Sequence, residues 1–434
     1  MTKKYCPLPF MHSHADVSGK YKPCCNADID YEEVFTEKEY SLSEWFHHPK
    51  MDKLRSDLLN EIENPMCSIC WDQERIGTDR SFREGYVSRF KNDNVDTKNP
   101  KITYLDLKLS NECNLGCRMC NYAESTQIYK DMLVMEQQGM ILPLQWERSP
   151  RFESIVLDKN KSNMFHNRPQ NVQDDIFKLL PDIKYLKVTG GEPTITKEFF
   201  DLVNYTVEKG YAKNIIMSIT TNGTRLTPQF IEKLKPFKKI RINVSVDGWG
   251  PNYEYIRYPM TWKIFDKRMR SLSADINSND SNVASVDFTI CAQMQNIEYL
   301  HTLENYIWQT FEGNDSVGAQ IQTNIRPFNS SNDLRYLPKY ILQQALTDSR
   351  AINSKTKYHS DIYHSTLKDV ISNYGSEEMS FFKKTDSLKV MLRDLLNIDK
   401  IRNQDYRVGL GKETGMWIDQ LAGKYRGSEG LENV

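Results

Sequence analysis

The chain has 434 residues, with 57 Lys and Arg against 58 Asp and Glu, a formal net charge of -1, and 39% hydrophobic and 26% charged residues. This is the composition of a globular chain long enough for one large core with appended units, or for two to three domains. The balanced charge weighs against a protein whose main work is gripping nucleic-acid phosphates. No stretch approaches the roughly 20 apolar residues of a membrane helix, and Met1 to Pro7 lack the apolar core of a secretory signal. A cytoplasmic location is the expectation, and there nine cysteines read as metal ligands or reactive groups rather than disulfides.

In chain order, residues 1–95 come first and hold Cys6, Cys24, Cys25, Cys67 and Cys70, with a helical pattern over Leu42–Ile62. The polar run Lys91–Pro100 suits an exposed boundary. Residues 96–328 alternate strand-like and helix-like segments, the pattern of a parallel βα fold. The strands are expected at Ile102–Leu109, Tyr185–Thr189, Ile215–Thr221, Ile240–Asp247, Val286–Gln293 and Ala319–Ile325. Helices are expected from Lys197 to Lys209 and from Thr227, the latter as an N-cap with Pro228 at the first helical position. The span 122–181 is long for a βα connection and contains Trp146 and Arg148, so it predicts a lid or specificity insertion. Residues 329–434 read as a mainly helical extension, over Tyr340–Ser349, Tyr363–Tyr374, Ser387–Leu396 and Met416–Gly423.

Strands covered on both faces by helices are nearly all apolar. Here Ile240, Ile242, Val244 and Val246 alternate with Arg241, Asn243, Ser245 and Asp247, and Gln320, Gln322, Asn324 and Arg326 repeat the pattern in the last strand. One polar face on several parallel strands predicts an α/β architecture of the partial (β/α)6 TIM-like barrel type, open enough for a polar and even anionic ligand. Cys291, with Asp287, Thr289 and Gln293, falls on that polar face, where a thiol could act on a bound ligand or simply pack.

The first of these strands runs into Cys113-Asn-Leu-Gly-Cys117-Arg-Met-Cys120, a C-x3-C-x2-C loop. Three thiolates leave one iron of a cubane open for a further ligand. Gly190-Gly191-Glu192-Pro193 follows the second strand, Thr221-Asn222-Gly223 the third and Ser245-Val-Asp247-Gly248 the fourth. In this order the segments resemble the radical S-adenosylmethionine superfamily over about residues 100–328. The resemblance implies a [4Fe–4S] cluster on Cys113, Cys117 and Cys120, with S-adenosylmethionine as cofactor and partner. It also implies cofactor contacts from Gly190, Gly191, Glu192, Pro193, Thr221, Asn222, Ser245 and Asp247, and more weakly from Gln293 and Asn296. Ser245 and Asp247 are expected to reach the ribose together. Met119 departs from the aromatic residue common before the last cysteine; Met packs on a base as well.

Cys6-x12-Gly19-x4-Cys24 and Cys67-x2-Cys70, followed by Trp71-x-x-Glu74, resemble the auxiliary-cluster element of twitch and SPASM domains, here placed before the barrel. The resemblance implies a second [4Fe–4S] cluster on Cys6, Cys24, Cys67 and Cys70, for electron transfer or structure; a zinc site is the alternative. Cys25 is a fifth thiol, an alternative ligand to Cys24 or a core residue. The implied function is an enzyme generating a 5′-deoxyadenosyl radical. Its electrons would come from a flavodoxin- or ferredoxin-type reductant, and its substrate would be a peptide or small polar molecule. A nucleotide- or RNA-modifying enzyme and a non-catalytic cluster or zinc protein are the competing readings.

Overall fold

The computed structural model describes residues 3–17, 20–28, 40–76, 81–146, 169–312, 314–323, 331–352, 367–368, 370–372, 384–427 and 431. Gly19, Arg148, Asn324, Arg326 and most of Tyr363–Tyr374 lie outside the described residues, as do residues 147–168 of the expected insertion. The fold is mixed α/β and holds one eight-stranded sheet in the order β2-β1-β3-β4-β5-β6-β7-β8. The strands are β1 (His12–Ala15), β2 (Tyr21–Lys22), β3 (Tyr104–Lys108), β4 (Tyr185–Thr189), β5 (Ile216–Thr221), β6 (Lys239–Ser245), β7 (Val283–Ala292) and β8 (Val317–Thr323). Among the described residues no helix is long and apolar enough to cross a membrane.

The six expected strands are present within a few residues of their predicted limits, and β4 matches them end to end. Alternation is what made them visible. In β6, Ile240, Ile242 and Val244 are buried while Arg241, Asn243 and Ser245 are half-buried. In β7, Val286, Phe288 and Ile290 are buried, whereas Thr289 and Cys291 lie on the other, more open face. The Thr289 hydroxyl donates to Asn243 Oδ1 on that face at 2.7 Å. The helix expected over Leu42–Ile62 divides into Leu42–Phe46 and Pro49–Leu59. Pro49 has no N–H to continue the first helix and so begins the second, with the His48 ring accepting from Lys50 N.

The chain forms two compact units. The first comprises Met1–Asn111, Ser154–Thr220 and Lys233–Ile240. In it β1 pairs parallel with β3, β3 with β4 and β4 with β5, so that His14, Asp106, Lys187 and Ser218 stand in one transverse row. Lys187 Nζ lies 3.0 Å from Asp106 Oδ2, and His14 Nδ1 lies 3.4 Å from the same oxygen. Burial alone raises the Asp106 carboxyl pKa; the Lys187 ammonium and the two histidines, His14 and His12, outweigh it and hold it well below the usual range. The second unit comprises Glu112–Glu153, Thr221–Glu232 and Arg241–Val434. Here β7 and β8 run parallel from Val286 opposite Val317 to Ala292 opposite Thr323. The helices Thr385–Arg402 and Lys412–Tyr425 close this unit's chain.

Candidate functional site

The three cysteines of the C-x3-C-x2-C loop sit in the second unit. A turn bonds Cys120 N to Cys117 O at 2.9 Å. The loop leads into the helix Thr126–Gln137, whose N-cap Ser125 accepts from Ile128 N and donates its own hydroxyl to Leu115 O at 2.8 Å. Thr126 Oγ1 accepts from Cys113 N and donates to Cys113 O, both at 3.2 Å. Loop and helix thus hold each other. Burial pushes the Cys120 thiol well up, and the neighbouring Cys117 and Cys113 push it further. Burial also raises Cys117, opposed by Arg257.

Asn222 and Arg257 reach two of these sulfurs. Asn222 Nδ2 lies 3.9 Å from Cys113 Sγ and donates to Asn114 Oδ1 at 2.9 Å. Arg257 Nη1 lies 3.6 Å from Cys117 Sγ. Such outer contacts orient thiolate ligands and tune the metal they hold. Thr221-Asn222-Gly223 is therefore seated on the cysteine loop. Gly223 has φ +80°, and a Cβ there would approach the Phe265 ring to 3.1 Å.

Asp247 is fully buried. Its Oδ2 accepts from Arg257 Nε at 2.8 Å and its Oδ1 from Cys291 N at 2.7 Å. Ser245, the last residue of β6, is half-buried, while the Asp247 carboxylate engages these two groups of the chain itself. Asn296 also works internally, donating to Asp247 O and Cys291 O at 2.8 and 2.7 Å. Gln293 is different. It is 3% exposed, and among the described residues neither its side-chain nitrogen nor its oxygen has a hydrogen-bond partner. A buried amide left unpaired costs about 1–3 kcal/mol, which a bound polar ligand would relieve. The Cys291 thiol lies on the same stretch and is pushed up to about 12 by burial and then by Asp247.

The C-terminal region, expected only as a helical extension, grips the cysteine loop. Arg118, between two of the three cysteines, is fully buried. It donates to Asp399, to Gln404 Oε1 at 2.9 Å and to Tyr255 O at 3.0 Å, and its guanidinium lies 3.6 Å from the Tyr255 ring centroid. Its carbonyl accepts from Asn332 Nδ2 at 2.9 Å. Arg402 pairs with Asp131 through Nε and Nη2, at 2.9 and 2.6 Å. A Cβ on Gly116 would lie 2.7 Å from Arg402 Nη2.

In the first unit, Gly190 has φ +123°, and an ideal Cβ there would sit 2.5 Å from Ser110 O. Gly191 N donates to the same carbonyl at 2.8 Å. Glu192 is fully buried, and its Oε1 accepts from Thr194 N and Oγ1 at 3.0 and 2.5 Å. Glycine at 190 is thus a steric requirement. Gly190→Ala is expected to destabilise the unit by about 1–3 kcal/mol, from strain of the kind such backbone positions store. A urea midpoint equal to wild type would contradict it.

Also in the first unit, Cys6, Cys24, Cys67 and Cys70 line one pocket of about 460 Å³, counting its open mouth, together with Arg83. Burial is the main force raising each thiol: it pushes Cys6 to about 12 and Cys24 well above 9. Arg83 opposes the rise at Cys6, Cys67 and Cys70. Glu74 holds that arginine through both oxygens, at 2.8 and 2.9 Å, and Trp71 Nε1 donates to Asn64 O at 3.0 Å. The Trp71-x-x-Glu74 segment therefore places a cation beside the thiols. Cys25 does not line this pocket; apart from burial, its main influences are Lys187 and Asp106. Among the described residues no three His, Cys, Asp or Glu side chains gather tightly enough for a single metal ion. Ligands of one zinc all lie about 2.0–2.3 Å from it, whereas the cysteines of a cubane bind separate irons. Cys6, Cys70 and Cys117 are buried and Cys24, Cys67, Cys113 and Cys120 half-buried, and each set has an arginine beside it, Arg83 and Arg257, a donor chemistry that suits iron–sulfur ligation.

Residues 107–304 match the family model described as Radical SAM superfamily. The mycofactocin maturase MftC of Mycolicibacterium smegmatis is 28% identical over 116 residues, 27% of this chain and 27% of that protein. A probable GTP 3′,8-cyclase of Pyrococcus horikoshii is 28% identical over 153 residues, 35% of this chain and 37% of that protein. This chain therefore aligns with well under half the length of these relatives. Among solved structures, Streptococcus suis SuiB bound to S-adenosylmethionine superposes with a TM-score of 0.36 at 14% identity, covering 71% of this chain and 59% of that one.

Proposed function

We propose that this chain, which matches the Radical SAM superfamily model over residues 107–304, is an enzyme that cleaves S-adenosylmethionine and abstracts hydrogen from a peptide or small polar substrate. The observation that carries the reading is the cysteine loop: three thiols on one short turn, with Asn222 and Arg257 directed at two of the sulfurs. When bound, a [4Fe–4S] cluster on Cys113, Cys117 and Cys120 and its S-adenosylmethionine supply the 5′-deoxyadenosyl radical. The chain's own part is to bind and orient. Gly190, Gly191, Glu192 and Pro193 would receive the cofactor's amino-acid end, Thr221, Asn222 and Ser245 its nucleoside side, and Gln293 would offer its unpaired amide. Asp247 supports from behind through Arg257 and Cys291 N. Cys291 stands as a thiol available to a substrate radical.

In this reading residues 96–328 form a partial (β/α)6 barrel, residues 1–95 a twitch/SPASM-like element holding a second [4Fe–4S] cluster, and residues 329–434 a helical extension. The protein is cytoplasmic and takes electrons from a flavodoxin- or ferredoxin-type partner. The relatives' names include a maturase and a GTP cyclase, so a nucleotide substrate is the second reading. The near-zero charge favours the peptide or small polar molecule over RNA. The test is anaerobic reconstitution with iron and sulfide, then dithionite and S-adenosylmethionine, with 5′-deoxyadenosine as the readout. Release by wild type and by Cys291→Ala, and none from the Cys113/Cys117/Cys120→Ala protein, is the expected result. Equal release from the triple variant would end the proposal.

A further inference from the structure

None of the recognised motifs includes Arg257, and the function above leaves open what its contact with Cys117 does to a cluster held there. It follows the short helix Pro251–Ile256. Gly116 N donates to Tyr258 O at 2.7 Å, and Arg118 N donates to Ile256 O at 3.0 Å. These two bonds bracket Cys117 on one segment and Arg257 on the other, so the two residues stand opposite each other. The guanidinium fork then has one arrangement open to it. Nε and Nη2 engage Asp247 Oδ2, at 2.8 and 2.5 Å, which leaves Nη1 for Cys117 Sγ at 3.6 Å. Asp247 is fixed in turn by the Cys291 N–H and by Asn296, which holds its backbone.

Arg257 is 6% exposed and Asp247 not at all. Desolvating two charges costs several kcal/mol per ion, and a pair of apolar side chains would hold the two segments at least as well. A charge pair retained at this depth, with its cationic end on a metal-ligand sulfur, is explained by what it does to that sulfur. Hydrogen bonds and nearby charge at cluster sulfurs set the reduction potential.

We infer that Arg257 is a positioning residue that orients Cys117 and raises the reduction potential of the cluster it ligates, with Asp247 as the counter-charge that limits the rise. The inference rests on the cluster reading above and adds a direction to it. A cation removed makes the reduced cluster harder to form; a counter-anion removed makes it easier.

The test is an EPR-monitored potentiometric titration of the reconstituted holoprotein. Arg257→Met is expected to shift the midpoint of the Cys113/Cys117/Cys120 cluster to more negative potential, and Asp247→Asn to shift it to more positive potential. Arg257→Lys, which keeps the cation, is expected to fall between wild type and Arg257→Met. Cluster loss to a chelator should also be about 10–100-fold faster in Arg257→Met, the usual cost of losing an outer-shell partner. Should Arg257→Met fail to fold, Arg257→Lys and Asp247→Asn still decide the matter. Midpoints unchanged, or displaced in the same direction by removal of either charge, would show a purely structural pair and overturn the inference. A wild-type protein with no reducible cluster on these cysteines would instead overturn the reading it rests on.

Discussion

Asp399→Ala is expected to open the cysteine loop at a cost of about 3–5 kcal/mol, the price of leaving a buried charge without its partner. Arg118 sits between Cys117 and Cys120 and is fully buried. Its charge is balanced by Asp399, 281 residues along the chain, with Gln404 Oε1 adding a neutral acceptor. Asp399 also accepts from Tyr406 N at 2.9 Å, so the alanine variant strands two donors at once. The loss should be local before it is global, because Tyr255 O and the Tyr255 ring still hold the guanidinium. Native-state hydrogen exchange reads such local opening directly. Amide protection over the cysteine loop should fall, while that of the first unit stays unchanged. Arg118→Met combined with Asp399→Leu removes both charges and should recover most of the loss, since the pair is strongly coupled. If Asp399→Ala leaves loop protection at the wild-type level, the C-terminal helix does not secure the site.

That contact marks where sequence reading stops. The strands β3 to β8 were legible because apolar and polar residues alternate with a period of two, as Ile240 to Ser245 do. The cysteine loop and the Gly190 turn were legible because their chemistry is written in adjacent residues. Thr227 capped its helix as read, accepting from Phe230 N at 3.1 Å. By contrast, β1 consists of His12-Ser-His-Ala15, four residues with no apolar alternation, and β2 of only two. Nothing local marks them as strands; β1 becomes one by pairing with β3, and β2 by pairing with β1. The charges that surround the sulfurs were hidden for the same reason. Arg257 lies 140 residues from Cys117, and no periodicity links an arginine to a thiol across that interval. Asp247 was legible as a polar residue in step with Ser245, but its partner Arg257 was not.

The second large effect is expected at the other thiol set. A Cys67→Ser, Cys70→Ser protein should hold about four irons after reconstitution where wild type holds about eight, each cubane contributing four. Deoxyadenosine release should persist in this variant, since the cysteine loop is untouched. Wild type holding about four irons and one zinc would make the pocket a zinc site. Wild type holding about four irons and no other metal would remove metal binding from the pocket altogether. The thiols themselves add a pH signature. Burial raises Cys6 from 9.0 to about 12 in the metal-free fold, so the folded state binds this proton more tightly than the unfolded chain does. The stability this proton contributes is fully present below pH 9 and is lost as the pH climbs from about 9 towards 12. A loaded pocket has already released its thiol protons, so its stability should not fall over that window. Urea midpoints of the metal-free and reconstituted proteins should therefore diverge as the pH rises above 9. Parallel curves would mean that metal does not bind through these four sulfurs.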